Sequence, residues 1–205
     1  MKNLSKIKIV FLSICTALLF SQAAYSQISE GNVLIGGGFG FGASDDEVRF
    51  NLNPSAHYLI TDNISIGGSI GLNTSRTDPG ENTYGRQITI AIAPAVRYFK
   101  DFGDKLFIYG EGAISFNTGN TAFIDDGQRT DLQRINQLGV GISPGILFTP
   151  TDRIGFDFNF SLISFGRLAV TDETADPTTT DISNSFSFGF DSFTPTFGVY
   201  YIIGN

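Results

Sequence analysis

The chain has no tryptophan, one histidine and one cysteine, and its one methionine is the first residue. The cysteine, Cys15, lies within the N-terminal leader, so disulfides contribute nothing to the stability of the mature chain. The lone histidine, His57, restricts serine–histidine chemistry to one candidate. Charge is scarce as well: Asp, Glu, Lys and Arg make up 16% of the chain, with a net charge of −7. Such an acidic chain cannot neutralise many phosphates, which excludes nucleic acid as a partner. Beyond the leader, no stretch carries the apolar spacing of a long amphipathic helix.

What is abundant suits strands and turns: 24 glycines and 20 phenylalanines, set among Ile, Ser, Thr and Asn. Residues 1–26 read as a secretory signal peptide. Lys2, Lys6 and Lys8 give a basic start, Ile9–Phe20 is largely apolar, and small residues follow in SQAAYSQ. Cleavage is expected between Ser26 and Gln27. The apolar run is too short for a spanning helix. Ile14 occupies the position where a lipoprotein signal needs Gly, Ala or Ser, so lipidation at Cys15 is not expected. Residues 27–205 remain, about 180 residues, enough for one domain.

Four strand-like segments each carry a proline followed by alternating apolar residues: NPSAHYLITDN, APAVRYFKDFGD, SPGILFTPTDR and TPTFGVYYIIGN. They recur roughly every forty to fifty residues, the length of a hairpin with one long and one tight connection. Period-two alternation divides the mature chain into eight segments, beginning near Val33, Arg49, Ile64, Ile88, Leu106, Gln137, Ile154 and Phe193. One face of each is Ile, Val, Leu, Phe or Tyr; the other is mostly Gly, Ser, Ala, Thr and Asn. Segments of about ten to twelve residues match tilted strands crossing hydrocarbon, and the small opposite face suits the interior of a narrow barrel. Connections alternate in length. Short ones fall at 61–63, 100–105 and 149–153, and long ones at 44–48, 74–87, 118–136 and 164–192. The expected fold is an eight-stranded antiparallel up-and-down transmembrane β-barrel with short periplasmic turns and long extracellular loops. Pro54, Pro94, Pro144 and Pro195 take lipid-facing positions, where local bulges are expected.

HYLITDNISIGGSIGLN (57–73) resembles the strand–turn–strand signature of the small eight-stranded outer-membrane β-barrel proteins of Gram-negative bacteria, and TPTDRIGFDFNFSL (149–162) is a second, weaker copy. The resemblance covers nearly all of Gln27–Asn205. It implies residence in the outer membrane, with lipid and the barrel-insertion machinery as partners. Relatives often end on an aromatic read by that machinery; this chain ends YYIIGN, so Tyr201 is the candidate. The looser porin-like label of such families also implies a narrow passive pore as an alternative role.

The inward phase holds His57, Arg97, Glu111, Asp157 and Asn159, expected to form a lumen network of ion pairs and hydrogen bonds. Arg97 and Glu111 fall on consecutive strands around one turn. Tyr58, Tyr98, Phe148, Phe156 and Tyr201 fall on the lipid phase as an aromatic girdle. The acidic loops, Asp172 to Asp181 among them, match no calcium-loop spacing, and no metal or cofactor is expected. His57 lies near the periplasmic turn, away from the outer rim, which disfavours a lipid-modifying enzyme. These residues point to a monomeric, non-enzymatic barrel whose loops meet extracellular ligands or surface partners.

Overall fold

The computed structural model describes residues 28–44, 46–77, 83–189 and 196–204. Ser26, Gln27 and Pro195 lie outside them. The strands are β1 (Val33–Ala43), β2 (Glu47–Leu59), β3 (Ile64–Thr77), β4 (Thr83–Asp101), β5 (Leu106–Asp125), β6 (Gln128–Thr151), β7 (Ile154–Asn159), β8 (Ile163–Asp172), β9 (Thr179–Phe188) and β10 (Thr196–Ile203). Every pairing is antiparallel. The ring runs β1–β2–β3–β4–β5–β6–β7–β10 and returns to β1. Closing eight strands this way satisfies backbone groups that an open edge would expose to lipid.

Two of the three short turns share one device, while the turn after Asp101 closes by backbone hydrogen bonds between Phe102, Gly103 and Leu106. In Thr61-Asp62-Asn63 the Thr61 hydroxyl accepts the amides of Asn63 (3.3 Å) and Ile64 (3.0 Å). In Thr151-Asp152-Arg153 the Thr151 hydroxyl accepts those of Arg153 (3.4 Å) and Ile154 (3.1 Å). A threonine hydroxyl thus replaces the missing ladder and fixes each register.

Besides β3 and β4 running into the loop expected at 74–87, as far as Thr77 and from Thr83, the wall differs from the alternation reading in three places. The excursion expected as loop 118–136 is almost entirely strand: β5 and β6 continue as a ribbon, turned by Asp126 (φ 45°) and Gly127 (φ 82°). An Asp-Gly pair with both φ positive is a tight hairpin turn. Likewise, 164–192 contains β8 and β9 rather than loop alone. Third, β6 exchanges neighbours along its length, pairing with β7 from Gly145 to Thr151 and with β8 from Gln133 to Ile142. The partner residue numbers slip by one between Ile142↔Ile163 and Gly145↔Asn159.

That slip lies beside Pro144 and is the bulge expected of a strand proline. Pro54 and Pro94 need none. Leu52↔Leu72 and Ser55↔Ser69 keep one register across Pro54, as do Ile92↔Phe116 and Ala95↔Ala113 across Pro94. Each of the three prolines keeps its pairing to the preceding strand and interrupts it only toward the following one. A missing N–H, directed at that neighbour, accounts for the pattern.

Ring closure depends on close backbone approach at β1. A Cβ on Gly36 would overlap the Val199 carbonyl of β10, and one on Gly37 (φ 135°) would overlap the Asn53 carbonyl of β2. Only glycine fits between these neighbours. β1 and β10 share five register pairs, Val33↔Ile203 through Gly37↔Val199. Among the described residues, Gly38–Ala43 and β9 have no strand partner on their remaining edges.

Candidate functional site

The lumen is organised in layers. At the end with the short turns, inward side chains of Leu34, Leu59, Phe99, Phe107, Leu147 and Ile202 form the buried core of the molecule, four of them with no exposed surface. They come from β1, β2, β4, β5, β6 and β10, so the plug is built from most of the ring. An apolar seal of this kind excludes water more completely than the small polar interior expected from alternation.

Directly above lies the polar layer. Arg97 on β4 stands opposite Glu111 on β5 in register, and its Nε donates to the Glu111 carboxylate at 2.5 Å. The guanidinium also donates to the Tyr200 hydroxyl of β10 (3.1 Å) and lies 4.0 Å from the Asp157 carboxyl of β7. Asp157 accepts from Tyr109 on β5 (2.6 Å) and from Asn159 (3.0 Å). Ser55 on β2 completes the circuit by donating to Tyr200 at 2.9 Å. Arg97 sits over two rings, 4.7 Å from the centroid of Tyr109 and 5.4 Å from that of Tyr200. One cation is thereby shared among two carboxyl groups and two aromatic faces, which is how a charge is kept away from water.

His57 is 2% exposed and its ring meets Tyr200 edge-on at 6.3 Å. Its Nε2 is 4.0 Å from Glu111. His57 Nδ1, Ser65 Oγ and one Arg97 nitrogen are buried without a hydrogen-bond partner. Ser65 and His57 therefore form no nucleophile–base couple. No three His, Cys, Asp or Glu side chains gather as a metal site among the described residues. Above the layer a cavity of about 250 Å³ is lined by Gly38, Ser69, Ala93 and Thr196 together with the network residues.

All five inward residues singled out from the sequence thus lie in one layer. Tyr109, Tyr200 and Ser55 join them and were not singled out, although Tyr200-Tyr201 signals it: of two adjacent tyrosines on a strand, one must face inward. Tyr58, Tyr98, Phe148, Phe156 and Tyr201 are all exposed on the outward face, 40–59% accessible. Phe148 pairs with Phe156, and Tyr201 with Ile154.

A closed antiparallel barrel with an outward apolar wall is the architecture of outer-membrane proteins. The family model for the outer membrane protein beta-barrel domain matches residues 12–191, most of the chain. The chain belongs to that family. Membership places this barrel in the outer membrane. Solved structures that resemble it include the N-terminal β-barrel domain of Pseudomonas aeruginosa OprF, at 13% identity and TM-score 0.38. Another is Ail, the attachment invasion locus protein of Yersinia pestis, at 14% identity and TM-score 0.43. Each alignment covers 85% of this chain and 99% of the other. No curated protein matches.

Proposed function

We propose that this outer-membrane barrel is a non-enzymatic surface protein that meets its partners through the polar ribbons above the wall, with lipid and the insertion machinery as its other contacts. The observation that carries this is a sealed lumen beneath a long ribbon. Outward apolar residues on β5 end at Phe116, and on β6 they resume at Leu138. Beyond those positions the ribbon continues to the turn at Asp126-Gly127. At ~3.3 Å per residue it extends roughly 30 Å past the apolar band. Its tip, residues 125–131, is polar and exposed, with Arg129 paired to Asp131 at 2.6 Å, and nearer the wall Arg134 pairs with Glu173 at 2.9 Å. Such a projection suits recognition, whereas a plugged interior suits neither transport nor catalysis.

The test is to replace Asn120–Arg134 with Asn-Gly, which caps the Gly119↔Ile135 pair with a tight turn. The shortened barrel is expected to keep the full-length protein's difference in gel mobility with and without boiling. Cells displaying it should lose adhesion to glycan-coated surfaces relative to cells displaying the full chain. Equal adhesion by the two, at equal surface levels, contradicts the reading.

A further inference from the structure

We propose that Arg167 on β8 marks a binding site on the outside of the wall for the phosphate headgroup of a membrane lipid. Arg167 faces outward in a cross-strand row with Leu138, Phe116 and Ile92, and its neighbour in β9 is Asn184. It is exposed, and no ion pair, hydrogen bond or ring contact engages it among the described residues. By contrast Arg49, Arg97, Arg129 and Arg134 each hold a carboxylate. An unpaired guanidinium on a lipid-facing wall is costly at the bilayer midplane and tolerated near the interface. Arg167 lies at the interface, where Phe116 gives way to Thr118 on β5 and Leu138 to Asn136 on β6.

These groups border one groove of about 470 Å³. Its floor is apolar, from Ile90, Ile92, Phe116 and Leu138, and its rim is polar, from Thr118, Asn136 and Arg167. The Thr118 hydroxyl donates to the Asn136 carbonyl oxygen at 3.0 Å. That bond occupies the acceptor of Asn136 and leaves its amide N–H groups free to donate. With the five donors of Arg167, the rim offers donors to an incoming group, and no carboxylate borders the groove. A phosphate monoester satisfies such a rim by bidentate pairing with the guanidinium, and acyl chains cover the floor. Free phosphate would gain nothing from the floor. The occupant is therefore a phosphorylated lipid.

Native mass spectrometry on the folded protein released from detergent tests the assignment, with folding verified by the boiling-dependent gel shift. Dimyristoyl phosphatidic acid is expected to be retained on the wild type, and Arg167→Gln should lower the retained fraction about tenfold, the value of a lost charge-assisted pair. Arg167→Lys keeps the charge and should retain most of the lipid. Arg129→Gln, at the ribbon tip, should change nothing. Equal retention on Arg167→Gln, or equal retention of dimyristoylglycerol, overturns the headgroup site. Retention of inorganic phosphate alone would assign the site to a free anion and overturn the lipid.

Discussion

Replacing Arg97 with methionine is expected to destabilise the barrel by about 3–5 kcal/mol, because it removes the one cation that Glu111 and Asp157 share in a water-poor lumen. Methionine fills much of the space, so the loss is electrostatic rather than a cavity. The guanidinium is 4% exposed, and its hydrogen bonds reach Glu111 on the neighbouring β5 and Tyr200 on β10, across the ring from β4. Glu111→Gln should cost less. Arg97 would keep its bond to Tyr200 at 3.1 Å and its approach to Asp157 at 4.0 Å. Urea titration in lipid vesicles, read by the fraction of unboiled protein in the fast gel band, measures both. A loss below about 1 kcal/mol for Arg97→Met would mean that the network does not hold the walls together.

The second large effect is expected at the closure of the ring. Valine at position 36 places its Cβ against the Val199 carbonyl and 2.7 Å from the Tyr200 Cα, both backbone atoms that cannot rotate away. Since five register pairs join β1 to β10, parting them there leaves the ring without its closing seam. Gly36→Val should therefore abolish the fast band of unboiled protein, while Gly42→Val, whose Cβ meets nothing within 4 Å, should migrate normally. Normal mobility of Gly36→Val would show that β1 and β10 close the barrel in some other way.

The alternation that predicts the wall is a physical consequence of lipid on one side and a cramped lumen on the other, so the strands were legible wherever both held. Where the ribbon leaves the membrane that contrast ends. Residues 118–136 lost their period for that reason and read as loop, even though Asp126-Gly127 carries a hairpin signal of its own. The polar layer was legible residue by residue because charges are rare in this chain. That Arg97 and Glu111 stand directly opposite depends on the turn after Asp101, whose length alone did not fix it. The apolar plug was hidden for a different reason. Leu34, Leu59, Phe99 and Leu147 sit at strand ends and in the inward phase, where period-two reading assigns small polar residues. The exchange of β7 for β8 beside β6 arises from a one-residue slip; Pro144 signals a bulge there, but Pro54 and Pro94 carry the same signal and keep register, so the proline alone does not decide it.

The structure is a closed membrane barrel whose lumen is shut at the turn end. Planar-bilayer recording with folded, boiling-sensitive protein tests it most directly. The expected result is silence: Leu34, Leu59, Phe99 and Leu147 have no exposed surface, and Arg97 is tied to Tyr200 across the bore above them. A steady current that scales with the number of inserted barrels would show an open lumen and favour the alternative, a narrow passive pore.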